Sequence, residues 1–188
     1  MMTMPIKPQS QHGGYTELSL WLLPAEPIKK RLHAIIQGLA EKYDAVSFEP
    51  HVTIFSGSSD DDKTASIARG IVKSFSPFEL TVLRLDHTRN FTKTLFIQFQ
   101  ESEIARSMFN AIKERSERPT NYVLNPHLSL LYKAIPVAAQ AELCQTLDVP
   151  NGLYSFDRLR VIETEIPLNR PDQIKRWRTV FESALHQP

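Results

Sequence analysis

Phe48-Glu49-Pro50-His51-Val52-Thr53-Ile54-Phe55 is an alternating, β-branched run beside a proline, and it returns in altered form as Pro126-His127-Leu128-Ser129-Leu130-Leu131-Tyr132. Both read as strands, because branched and aliphatic side chains fit a pleated, half-buried surface and proline is tolerated at a strand's start. Residues two apart share a face of a strand. His51 is therefore expected beside Thr53, and His127 beside Ser129, with Val52, Ile54, Leu128 and Leu130 turned into a core.

Working outward, the same plan precedes each histidine. Glu17 to Leu23 is a short apolar run closed by Pro24, which predicts a strand. Pro27 then opens a helix on which Ile28, Leu32, Ile35, Ile36, Leu39 and Tyr43 recur at helical spacing. In the second half Thr94 to Phe99 predicts a strand, and Ser102 caps a helix carrying Ile104, Met108, Ala111 and Ile112. His51 follows Leu18 by 33 positions (51 − 18), and His127 follows Leu95 by 32 (127 − 95). Two copies of one strand–helix–strand unit are expected, and pairing them about a pseudo-two-fold axis would bring both histidines to one cleft. Ser58-Ser59-Asp60 offers cap chemistry for a helix to about Ser74, followed by a strand over Phe78 to Leu85. Pro136 and Val137 open a helix to about Leu147, and Tyr154 to Glu163 reads as a long strand. From Lys175 to Leu185 the apolar residues fit a helix or a strand equally well.

Composition narrows the function classes. With 22 Lys and Arg against 21 Asp and Glu the net charge is only +1, so no global field holds a long polyanion, and a small phosphorylated substrate fits better than duplex nucleic acid. The single cysteine, Cys144, has no partner for a disulfide or a zinc cluster, which points to a reducing, cytoplasmic setting. No run approaches the roughly 20 apolar residues of a membrane span. Residues 1–14 are expected to be a flexible tail and residues 15–188 a single bilobal domain, acting as a monomer without a membrane partner.

Two imidazoles and two hydroxyls on neighbouring strands suit phosphate ester chemistry. Near neutral pH one histidine of a pair can accept a proton while the other donates one. Opening a cyclic phosphate with water needs both transfers, on opposite sides of phosphorus. Thr53 and Ser129 are the candidates to hydrogen-bond the phosphate oxygens. His12, His33, His87 and His186 lack such surroundings. No third ligand at motif spacing accompanies His51 and His127, so neither a metal nor another cofactor is expected.

These segments resemble the paired motifs of the two-histidine phosphoesterase superfamily. Ser19-Leu20-Trp21-Leu22-Leu23-Pro24 and the continuation Leu130-Leu131-Tyr132 are further similar to its plant-type cyclic phosphodiesterase branch. The likeness runs from about Glu17 to Arg158, although residues 56–91 match no motif and plant members often carry more cysteines. It implies an α+β fold of two pseudo-symmetric lobes, antiparallel sheets flanked by helices around a central cleft, with a strand at the C-terminal segment. It also implies metal-independent hydrolysis of ADP-ribose 1″,2″-cyclic phosphate, a by-product of tRNA splicing, or of nucleoside 2′,3′-cyclic phosphates to 2′-phosphates. By the same resemblance His127 activates water, His51 protonates the leaving oxygen, and Trp21 and Tyr132 wall the substrate pocket. The spacing alone leaves acid and base interchangeable, and Tyr132 stands an odd number of residues from His127, so the strand must bend or end to aim it inward. The alternatives are an RNA-end 2′,3′-cyclic phosphodiesterase or ligase-like enzyme and a non-catalytic module binding a nucleotide or RNA end.

Overall fold

Prolines, caps and apolar spacing set the elements close to where the sequence puts them. The computed structural model describes residues 15–58, 60–116 and 120–186, and the tail expected over residues 1–14 lies outside these. β1 (Tyr15–Pro24) buries Leu18, Leu20 and Leu22 on one face. α1 (Ile28–Tyr43) starts directly after Pro27, turns Leu32, Ile36 and Leu39 inward, and stops where Asp44 takes a left-handed backbone at φ 49°. β2 (Val52–Ser58) leads to α2 (Asp61–Ser74), whose first turn is capped by the Asp60 carboxylate accepting from the Lys63 amide at 2.9 Å. β3 (Phe78–His87) and β4 (Leu95–Phe99) flank a 3₁₀ turn at Phe91–Lys93. α3 (Glu103–Arg115) is capped by Ser102 as expected, its Oγ accepting from the Ala105 amide at 3.3 Å. β5 (His127–Leu131), α4 (Val137–Thr146), β6 (Leu153–Ile166), α5 (Pro171–Ile174) and β7 (Arg178–Ala184) follow.

All strand pairs are antiparallel, in the order β1-β2-β5-β4-β3-β6-β7, and β6 pairs again with β1. The long β6 makes this closure. Its first residues, Leu153 to Phe156, pair with β3, and further along the same edge Arg158 to Glu163 pair with β7, while β1 lies along the opposite edge. That open stretch of ladder beyond β3 is what decides the C-terminal segment for strand, with Trp177 immediately before it. On the far side the two halves meet through one residue pair, Val52 and Leu128 of β2 and β5.

The helices cross between the halves. α1 packs against β5 and α3 against β2, so each repeat's helix covers the other repeat's histidine strand; α2 lies on β6 and β7, and α4 on β3. The result is the expected α+β arrangement, with its sheets joined in one continuous run of pairings. A common core holds Val52, Ile54, Leu128 and Leu130, all fully buried. Among the described residues no helix is long and apolar enough to cross a membrane.

Candidate active site

The Val52–Leu128 pair is the hinge of the site, because the four motif residues stand one position to either side of it. Val52 and Leu128 point into the core, so period-two alternation turns His51, Thr53, His127 and Ser129 to the opposite face. His51 and His127 both line one cavity of about 810 Å³, in the size range of small-ligand pockets.

Each imidazole is held in the same way. His51 Nδ1 lies 2.7 Å from the Glu49 carbonyl and His127 Nδ1 lies 2.7 Å from the Asn125 carbonyl, two residues upstream in both cases. A carbonyl can only accept, so Nδ1 carries the proton and Nε2 is left for a ligand. Burial pushes His51 down to about 4, opposed by its bond to the Glu49 carbonyl and reinforced by the neighbouring His127. Burial likewise pushes His127 down to about 4, opposed by the Asn125 carbonyl and reinforced by the Lys93 charge. Behind His51, Glu49 is clamped by Lys29 at 2.6 Å and by Arg160.

The aromatic surroundings break the symmetry. Trp21 stacks face to face on His51, ring centres 3.6 Å apart and 9° from parallel. Its counterpart in the other half is Phe96, since Trp21 pairs with Thr53 as Phe96 pairs with Ser129. Phe96 meets His127 edge-on instead, at 5.6 Å and 78°. Trp21 is 3% exposed, its ring covered by His51 and by Trp177 at 4.9 Å, so only a margin faces the cavity. Tyr132 also lines the cavity. It does so because β5 ends at Leu131, which frees the next residue from strand alternation, and Tyr132 then stacks on Phe48 at 4.1 Å. Trp177 completes the cage, and its buried Nε1 has no acceptor among the described residues.

The two hydroxyls differ as well. Thr53 lines the cavity, and its hydroxyl has no partner among the described residues. Ser129 lies beneath the cavity surface, 4% exposed, and its Oγ donates to the Thr92 carbonyl at 2.8 Å. That bond holds the turn that carries Thr92 and Asn90 into the cavity wall.

Several lining residues are invisible to simple alternation. Past Thr53 the period-two rule would turn Phe55 to the cavity, but an irregularity in the β1–β2 register buries both Ile54 and Phe55 and delivers Ser56 instead. A second irregularity passes Gly57, at φ 132°, where a Cβ would stand 2.5 Å from Thr120 Oγ1. Thr120 and Tyr122 fasten their segment along β2 by donating to the Ser56 carbonyl at 2.7 Å and the Thr53 carbonyl at 2.8 Å. Trp177 carried a signal in the sequence, a tryptophan within the undecided apolar run from Lys175 to Leu185, whereas Thr92, Asn90 and Tyr122 carried none. His87 pairs with Gln140 at 3.0 Å, and His33 and His186 lie outside the cavity lining. Among the described residues no group of three or more His, Cys, Asp or Glu is placed to hold a metal ion.

Comparison with known proteins agrees with this geometry. The chain matches the family described as cyclic phosphodiesterase-like protein over residues 17–149. No curated protein matches it in sequence. Among solved structures it is similar to Escherichia coli LigT in its apo form (17% identity, TM-score 0.57, 93% of this chain and 100% of that one). It is similar also to TT0787 of Thermus thermophilus, at 12% identity and TM-score 0.59 over 90% of this chain and 97% of that one. Escherichia coli LigT complexed with 3′-AMP matches at 14% identity and TM-score 0.55 over 92% and 99%. At these identities the structures report a shared fold.

Proposed function

The chain belongs to the cyclic phosphodiesterase-like family and is a two-histidine phosphoesterase, and from that premise we propose that it opens small cyclic phosphates by concerted proton transfer between His51 and His127. The observation that carries this reading is the matched pair of Nδ1–carbonyl bonds, which fixes both tautomers and leaves both Nε2 atoms for a ligand in one cavity. Substrates would be nucleoside 2′,3′-cyclic phosphates, opened to 2′-phosphates, or ADP-ribose 1″,2″-cyclic phosphate. The 3′-AMP bound in the LigT crystal favours a small nucleotide ligand for this fold.

Water attacks phosphorus, an endocyclic P–O bond breaks, one Nε2 takes the proton of the water and the other gives its proton to the departing alkoxide. With both rings held near 4, each is neutral at pH 7 before substrate binds. An anionic phosphate in the cavity favours the charged imidazolium, so binding itself loads the acid. The asymmetry of the surroundings supports His51 in that role. An indole face against the ring stabilises a cation, and Trp21 offers one to His51; there the Glu49 charge favours protonation and the Arg160 charge opposes it, whereas at His127 the Lys93 charge disfavours protonation with no carboxylate among the described residues set against it. His127 is then the base that activates water. Thr53, which lines the cavity, would bind the phosphate directly, and Ser129 would do so by giving up its bond to the Thr92 carbonyl. Trp21 and Tyr132 shape the wall beside the reacting group.

The test is hydrolysis of a panel in the presence of EDTA: ADP-ribose cyclic phosphate, the four nucleoside 2′,3′-cyclic phosphates, a 3′,5′-cyclic nucleotide and a cyclic-phosphate-ended RNA. Turnover of the small cyclic phosphates, cut by roughly 10²- to 10⁴-fold in His51→Ala and in His127→Ala, is expected. Activity confined to the RNA would establish the RNA-end reading, and binding without turnover the non-catalytic one.

A further inference from the structure

The cavity continues well beyond the histidines. Trp21, Ser19, Glu17 and Tyr15, alternate residues of β1, all line it, so it follows that strand for about 20 Å at the usual rise of about 3.3 Å per residue. Glu17 sits about 13 Å from Trp21 by the same measure, roughly a nucleoside's length from the imidazoles. Ser56 Oγ donates to Glu17 Oε1, and Ser19 Oγ lies 2.6 Å from Ser56 Oγ. Because the Ser56 proton goes to the carboxylate, Ser19 must donate to Ser56, and both hydroxyl dipoles point toward Glu17. The carboxylate is thereby oriented into this arm with lone pairs to spare. Beside it, Ile166, Pro167 and Leu168 form an apolar wall. Among the described lining residues none is Lys or Arg, and Glu17 has no ion-pair partner among the described residues.

We propose that Glu17 is the specificity determinant of this arm: it accepts a hydrogen bond from a hydroxyl or amino group on the organic part of the substrate and disfavours a second phosphate there. The preferred substrate class is then a cyclic phosphate with no other phosphate group, such as a free nucleoside 2′,3′-cyclic phosphate, ahead of 5′-phosphorylated, diphosphate-linked or RNA-borne ones. This rests on the cyclic phosphodiesterase reading above for its choice of ligand. Two like charges within a nucleoside's length in a partly desolvated cleft repel enough to change affinity by about tenfold.

The experiment compares adenosine 2′,3′-cyclic phosphate with the same compound bearing a 5′-phosphate, by calorimetric binding and by turnover, in the wild type and in Glu17→Gln. Gln keeps an acceptor for Ser56 and removes the charge, and a thermal melt checks that the variant folds. The wild type is expected to bind the 5′-hydroxyl compound about tenfold more tightly, and Glu17→Gln to narrow the gap toward parity. Equal affinities in the wild type, an unchanged gap in Glu17→Gln, or no binding of either compound would each overturn the assignment. The preference with no turnover would uphold it while refuting the hydrolase reading; turnover without the preference would do the reverse.

Discussion

Acidification should weaken the fold through His51 in a window that the structure defines. The ring is 6% exposed and held at about 4, whereas in the unfolded chain it titrates near 6.5. Between those values the unfolded state takes up a proton that the folded state refuses, so stability rises with pH across the window. The contribution is fully present above about 6.5 and is lost as pH falls toward about 4. From pH 7 to pH 5 this amounts to about 2 kcal/mol for His51 alone. His127 acts in the same direction and less strongly, since it retains more contact with solvent. Glu49 and Asp86, both held below the usual carboxylate range chiefly by ion pairs that outweigh their burial, lose their contributions only at lower pH. Urea denaturation at pH 7 and pH 5 reads the effect, with His51→Gln as the control that cannot titrate. The variant should lose about 2 kcal/mol less than the wild type between the two pH values, whatever its absolute stability. Identical losses would show that His51 is not held neutral by burial, and the resting state from which the mechanism starts would be wrong.

The same two rings set the rate profile: kcat/KM, which reports the free enzyme, should peak on the acid side of neutrality with limbs belonging to the coupled pair, while kcat, measured with the anion bound, should peak at higher pH. Steady-state rates from pH 4 to pH 8 check this, and a kcat/KM still rising at pH 8 would contradict it. Trp21→Leu should lower kcat by about threefold to thirtyfold, the value of a cation–π contact, with little change in KM, because the indole face is spent on His51; a rise in KM alone would make it a substrate wall only. Gly57→Ala should lower stability by about 1–3 kcal/mol in a thermal melt, since the new Cβ meets Thr120 Oγ1 at a left-handed φ of 132°.

The sequence by itself determined the repeated unit, the two histidine strands and which of their residues face inward, because alternation and apolar spacing are local properties that a core merely enforces. It determined the caps at Asp60 and Ser102 for the same reason. Tertiary structure decided what depends on residues far apart in the chain. β7 is a strand because β6 has an open edge beyond β3. Tyr132 reaches the cavity because its strand stops one residue short of it, and Ser56 replaces Phe55 there because β1 and β2 slip in register. The carbonyls of Glu49 and Asn125 that fix the tautomers belong to the backbone, which has no residue-type signature. The difference between His51, stacked on an indole, and His127, beside a lysine charge, comes from packing across the sheet. A sequence that repeats a half-site can announce a pair of histidines, and only the packing around each makes their environments differ.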